Sequence, residues 1–185
     1  MQFETFLEGN TVDLVIINHD LIINHSWHTW LNDQKLTKYT NQGYFPITEE
    51  ENYQYFKDNI LSKKRIQIGV FNKRDNNLVG MLSLYNIHSV DRCCDLSSIF
   101  NKKDPGVKSI EFFRESQFLL ITHAFNKLNL RNIYIYCNRL KTAKMNERLF
   151  GFELQGTLKE RDYKDGKYED RYILVLTKQK WQNKD

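Results

Sequence analysis

Residues 110–137 read IEFFRESQFLLITHAFNKLNLRNIYIYC, and the change of period inside this stretch decides the fold. Over residues 110–128, Phe113, Gln117, Leu120, Ile121, Ala124, Phe125 and Leu128 recur at helical spacing and line one face of the strongest helix in the chain. From residue 131 to 137 the pattern alternates, which predicts a strand. The segment before the helix, residues 94–100 (CDLSSIF), also reads as a strand. A strand, a crossover helix and a second strand place the two strands side by side and parallel, with a right-handed connection.

Upstream, residues 65–71 (RIQIGVF) and 78–87 flank a polar turn at 73–77 (KRDNN) and predict an antiparallel hairpin. Residues 11–17 (TVDLVII) read as a first strand and 19–39 as helical material. Thr48 begins a helix through Tyr53, Tyr55, Phe56 and Ile60: Glu51 stands at capping-box spacing, and Glu49 and Glu50 occupy the first turn, where the helix dipole favours acids. Downstream, a short helix is predicted at 142–150 and two closing strands at 151–158 and 168–177 around Asp165-Gly166. The expected order is βααβββαβαββ, a mixed α/β or α+β domain.

The chain has 185 residues, of which 41% are hydrophobic and 27% charged, the balance of one well-filled domain over 1–185. Its three cysteines, Cys93, Cys94 and Cys137, form no CxxC and no Cys/His spacing suited to zinc, so a reducing, cytoplasmic setting without a metal site is expected. The five histidines show no HxxxH either. No basic leader with an apolar run opens the sequence and no apolar stretch reaches membrane-spanning length, so neither secretion nor a membrane partner is expected. Net charge is +4, and it is uneven: residues 1–100 hold 9 Lys/Arg against 12 Asp/Glu, residues 101–185 hold 18 against 11. The second half is the half expected near an anion. Its basic residues are interleaved with acids, which argues against a nucleic-acid partner.

Several stretches carry a resemblance. They are Trp30-Leu31-Asn32-Asp33 with Leu36 to Tyr39, Tyr44-Phe45-Pro46 before Thr48-Glu49-Glu50, the run from Ala124 to Ile133, Asn146 to Glu153 (NERLFGFE), and Asp165-Gly166-Lys167-Tyr168 followed by Asp170, with Trp181 at the end. In this order they resemble the GCN5-related N-acetyltransferases, in particular the branch of ribosomal-protein alanine acetyltransferases and acetyltransferases of amino-sugar nucleotides. The resemblance implies a mostly antiparallel mixed sheet with helices on both faces, whose fourth and fifth strands (94–100 and 131–137) are parallel and splay apart. It also implies acetyl-CoA as co-substrate, lying in the V between those strands, and an amine that attacks the thioester directly.

The same resemblance implies site residues. Asp95 stands where a general base would take the proton of the incoming ammonium. Leu96, Ser97, Ser98 and Ile99 would offer backbone to the pantetheine arm, with Asn138 and Asn146 on the far side of the cleft. Trp30, Tyr39, Tyr44 and Tyr85, with Trp27 and Phe45, fall in segments that line the acceptor pocket. Arg131, Arg139, Lys141, Lys144 and Arg148 bracket the cofactor edge. The family's thiolate-protonating tyrosine before the GF pair has no counterpart in Asn146-Glu147-Arg148-Leu149.

The pyrophosphate loop departs from the family pattern Q/R-x-x-G-x-G/A, reading Asp104-Pro105-Gly106-Val107-Lys108-Ser109-Ile110-Glu111-Phe112-Phe113. Glu111 and Phe113 fall where the family has small residues. Two readings follow: Gly106, Val107, Lys108, Ser109 and Ile110 form an anion-binding nest, or the loop has lost cofactor binding and the domain is non-catalytic. The expected acceptor is a small-molecule amine, with a nucleotide-linked amino sugar favoured by the basic charge and the aromatic pocket and by the resemblance of the NQGYFP stretch at 41–46 to that branch, or else a protein N-terminus. Either a monomer or a homodimer fits.

Overall fold

Alternating β-branched and aliphatic residues form the strands, and in a computed structural model these join into one eight-stranded sheet of order β1-β2-β3-β4-β5-β6-β8-β7. The structure describes residues 4–18, 21–22, 25, 27–38, 40, 42–61, 64–101 and 108–183. The strands are β1 (Thr5–Glu8), β2 (Val12–Ile16), β3 (Ile66–Asn72), β4 (Leu78–His88), β5 (Cys93–Phe100), β6 (Asn132–Cys137), β7 (Glu153–Lys164) and β8 (Lys167–Thr177). Besides the helical residues 21, 22 and 25, the described helices are α1 (His28–Asn32), α2 (Gln34–Thr37), α3 (Glu49–Leu61), α4 (Lys108–Asn126), α5 (Leu140–Phe150) and α6 (Lys178–Gln182).

Every neighbouring pair is antiparallel except β5 and β6, which are parallel and joined by α4, as the 110–137 stretch predicts. Their pairing is short: Cys93↔Asn132, Cys94↔Ile133 and Asp95↔Tyr134. Beyond Asp95, β5 runs to Phe100 paired with β4, while β6 runs to Cys137 paired with β8. The two strands splay.

Two apolar clusters cover the two faces. Leu82, Leu84, Cys94, Leu96, Ile133 and Leu176 pack under Phe112, Leu120, Ile121, Ala124 and Phe125 of α4 and Ala143 and Phe150 of α5. On the other face Val15, Ile17, Phe71 and Met81 pack with Leu21, Ile22, Trp27 and Phe56 of the first helical region and α3. Gly80 is required by the first cluster's edge, because a Cβ there would sit 2.6 Å from ring carbons of Phe100, its cross-strand partner.

Four local expectations need correction. An edge strand, β1, precedes the first expected one. Within the helical region expected over 19–39, α1 and α2 are separated by a break at Asp33, which leaves helical geometry (ψ 104°) and accepts hydrogen bonds from the N–H groups of Lys35 and Leu36, capping α2. A side chain that competes for backbone donors starts a new helix better than it continues one. The closing hairpin is longer than expected, with strands of 12 and 11 residues. A last helix, α6, follows, capped by Thr177, whose side chain accepts from the N–H of Lys180. The Thr48/Glu51 capping box of α3 forms in both directions, at 2.8 and 3.2 Å. Among the described residues no helix is long and apolar enough to cross a membrane.

Candidate active site

Side chains directly opposite one another on neighbouring strands share a face of the sheet. The registers Tyr85↔Asp95 and Asp95↔Tyr134 therefore set Tyr85, Asp95 and Tyr134 in one row, on the face away from α4. Asp95 is the last residue of β5 paired with β6, so its half-buried carboxylate stands at the vertex of the splay. Asn86 Nδ2 donates to Asp95 Oδ2 at 2.8 Å. Burial pushes the Asp95 carboxyl above its ordinary value, and the Asn86 hydrogen bond, which favours the ionised form, opposes part of that rise. Burial, then the nearby Asp95 and Tyr136, push the Tyr85 phenol up to about 12, against the influence of Arg65 and Arg171.

Two arginines share this face, and they differ in their partners. Arg171 grips the nearly buried Asp162 with two hydrogen bonds, one at 2.9 Å, across β7 and β8. Arg65 is flanked by aromatic rings: its guanidinium carbon lies 5.3 Å from the Tyr55 ring centre and 5.5 Å from that of Tyr85.

A family model described as the acetyltransferase (GNAT) domain matches residues 23–146, about two-thirds of the chain. The chain belongs to the GNAT family. No curated protein sequence matches it significantly. Among solved structures, a Vibrio cholerae spermidine N-acetyltransferase in complex with CoA and spermine superposes with a TM-score of 0.84 at 20% identity, covering 95% of this chain and 100% of that one. A ribosomal L7/L12 α-N-protein acetyltransferase in complex with CoA gives 0.80 at 19% identity, covering 94% and 98%. At these identities the likeness is one of fold.

GNAT enzymes take acetyl-CoA, whose pantetheine arm is extended and carries amides, and the cleft offers matching partners. Among the described residues the β5 edge beyond Asp95 has no strand partner on the β6 side. Two buried amide oxygens, Gln117 Oε1 on α4 and Asn146 Oδ1 on α5, have no hydrogen-bond partner among the described residues. Both side chains are otherwise held, Gln117 Nε2 donating to Ser98 Oγ at 3.2 Å and Asn146 Nδ2 to the Thr142 carbonyl at 2.9 Å. A buried acceptor left unmatched is costly, and an amide-bearing arm would satisfy it. The cleft fits the group.

The other sequence-derived positions are distributed as follows. The Leu96 side chain is buried in the α4-side core and Ile99 packs against the opposite cluster, so both present backbone rather than side chain to the gap. Ser97 is exposed and Ser98 is bonded to Gln117. Asn138 Nδ2 donates to Glu169 Oε2 at 3.0 Å, tying the end of β6 to β8. Gly106 and Val107 lie outside the described residues, as do the side chains of Lys108 and Ser109, whose backbone opens α4 two residues earlier than expected. Ile110 is exposed in the first turn, beside exposed Glu111. Phe113, which falls where the family has a small residue, turns its ring between Phe100 and Phe150 at 5.6 and 5.8 Å.

Of the acceptor-pocket positions, the row brings Tyr85 to Asp95. Trp30 packs against the core cluster of Val15 and Met81. Tyr44 donates its hydroxyl to the Tyr163 carbonyl at 2.7 Å and carries the Lys164 ammonium 3.9 Å above its ring, so it clasps the tip of the β7–β8 hairpin. It also lines a cavity of about 400 Å³ with Leu31, Gly43, Phe45 and Ile47. Tyr39 lies outside the described residues. Sequence reading missed Arg65, Asn86 and the Arg171–Asp162 pair. Each is polar and unremarkable along the chain, and only strand register shows that Asn86 reaches Asp95 and that the arginines share its face of the sheet.

Proposed function

We propose that this GNAT domain transfers the acetyl group of acetyl-CoA to a primary amine of a small acceptor, with Asp95 as the base. The observation that carries the reading is the divergence of β5 and β6 immediately past Asp95, which sets a carboxylate of raised pKa at the mouth of a cleft with unmatched backbone and amide groups. Bound acetyl-CoA supplies the acyl group as a thioester. The residues around it position the amine and move its proton.

Asp95 takes a proton from the acceptor ammonium. The nitrogen lone pair then forms the new C–N bond, the C–S bond breaks, and the second proton, shed by the nitrogen as it becomes an amide, passes through solvent to the departing thiolate. Tyr85 does not compete for the proton, since its phenol titrates near 12 and stays neutral at physiological pH. The raised Asp95 pKa brings this base closer to the operating pH, where general-base catalysis is most effective.

For the acceptor, a nucleotide-linked amino sugar is supported by the net charge of +4 and by the NQGYFP stretch, whose Tyr44 and Phe45 line the cavity. A protein α-amine is the second reading, favoured by the fold's likeness to the L7/L12 α-N-protein acetyltransferase. The free thiols Cys93, Cys94 and Cys137 accord with a cytoplasmic setting. Mass spectrometry of amino-sugar nucleotides and of peptides with free N-termini, each incubated with the protein and acetyl-CoA, tests the reading. Acetylation of the sugar amine is expected. Acetylation of the peptides alone would transfer the function to the second reading, and an untouched thioester with every amine offered would oppose both.

A further inference from the structure

Arg65 immediately precedes β3, whose first register pair is Ile66↔Leu84. One step further along the same register sets Arg65 against Tyr85, which is itself opposite Asp95. Arg65, Tyr85 and Asp95 therefore stand abreast on three adjacent chain segments, and the 5.5 Å approach of the guanidinium to the Tyr85 ring bears out the alignment.

Four observations make this arginine unusual. Its guanidinium is held between the rings of Tyr55 from α3 and Tyr85 from β4. Its Nη1 donates to the Tyr55 hydroxyl. Its Nε is buried and has no hydrogen-bond partner among the described residues. Among those residues no carboxylate lies within ion-pair distance of it, whereas Arg171 on the same face is neutralised by Asp162. A guanidinium has five N–H donors in a planar fork suited to two-oxygen acceptors. Here aromatic stacking fixes the fork and leaves most of the donors uncommitted, which is the pre-organised state of an anion receptor.

We infer that Arg65 binds an anionic group, carboxylate or phosphate, carried by the acceptor, and so selects amines that bear one. The inference rests on the reading of Asp95 as the base for the amine. Two strand spacings, about 10 Å between backbones, separate Arg65 from Asp95. The amine and the anion of the acceptor are therefore several bonds apart, wider than in an α-amino acid. Asp95 receives the ammonium end and Arg65 the anionic end.

The test uses a matched acceptor series, ω-aminopentanol, ω-aminopentanoate, ω-aminopentyl phosphate and diaminopentane. Transfer is followed by CoA thiol release, and binding of each amine in the presence of CoA by calorimetry. Wild-type protein should prefer the anionic amines over the amino alcohol by about tenfold or more, in kcat/KM and in affinity, as expected for a charge-assisted hydrogen bond. Arg65→Gln should abolish the preference, read within the variant as the ratio of kcat/KM and of affinity for the anionic amines to those for the amino alcohol. Arg65→Lys should keep part of it, and Tyr55→Phe, which leaves the charge in place, should weaken it. The carboxylate and phosphate arms show which oxyanion the fork prefers.

Equal binding of all four amines, a preference for the diamine, or a preference unchanged in Arg65→Gln would overturn the inference. A binding preference without any thiol release would support the anion site while opposing the role of Asp95, so the two failures are distinguishable.

Discussion

Asn86 Nδ2 lies 2.8 Å from Asp95 Oδ2, and it reaches there from a left-handed backbone conformation (φ 51°) at the point where the β4–β5 register shifts. A non-glycine residue in that conformation is costly to hold. Here the bulge turns the amide back onto the carboxylate at the vertex of the splayed strands. The contact fixes the orientation of Asp95 and moderates its basicity.

Loss of the base should therefore show in turnover. Asp95→Asn is expected to lower kcat by roughly 10²-fold or more with CoA affinity nearly unchanged. Since the Asp95 pKa is raised, the acidic limb of the wild-type kcat/KM profile should lie above the ordinary carboxylate range, and the variant should lack it. Asn86→Ala removes a contact that favours the ionised form, so its acidic limb should move to still higher pH. Steady-state pH profiles of the three proteins check all of this.

Stability should change in the opposite sense. A carboxyl whose folded pKa is raised contributes stability at pH below its unfolded pKa, and that contribution is lost as pH rises through the folded value. At neutral pH the ionised Asp95 is a net cost to folding. Asp95→Asn should accordingly raise Tm at neutral pH, and the gain should vanish below the ordinary carboxylate range. Thermal unfolding at both pH values checks the sign.

Glu115 on α4 behaves in the reverse way. Its carboxylate accepts from the N–H groups of Asn10 at 2.5 Å and Thr11 at 2.9 Å and from the Thr11 hydroxyl, pinning the β1–β2 turn to the helix. Burial alone would raise its pKa, but these hydrogen bonds outweigh burial and hold it below the ordinary value. Its stabilisation is present above the unfolded pKa and is lost as pH falls through the lower folded one. Glu115→Gln should cost about 1 kcal/mol near neutrality, with the difference shrinking in acid, as measured by urea unfolding.

Gly80→Ala should destabilise by about 1–3 kcal/mol, because the added methyl overlaps the Phe100 ring. Combining it with Phe100→Leu should recover part of the loss. Simple additivity in denaturant unfolding would count against this contact.

The sequence made the crossover legible because a 3.6-residue period gives way to a two-residue period between Ile110 and Cys137. It could not show that β5 and β6 stay together for three residues only, since nothing in CDLSSIF or RNIYIYC marks where pairing stops. That point is set by β4 and β8 holding the two strands on diverging courses. The break at Asp33 was written in a residue that caps better than it propagates a helix, yet the apolar spacing around it suggested one helix. At the site, Asp95 was reachable through family resemblance. Arg65 and Asn86 were not, because their meaning lies in contacts across strands, with Tyr85 and Asp95, 20 and 9 residues away along the chain.

The central claim is that the cleft past Asp95 holds acetyl-CoA, and a calorimetric titration of the protein with CoA tests it without knowledge of the acceptor. Binding on the order of micromolar, weakening as salt rises and screens the phosphate contacts, and reduced in Asn146→Ala, is the expected result. No heat of binding at millimolar CoA would contradict it and would leave a GNAT fold that has lost its cofactor.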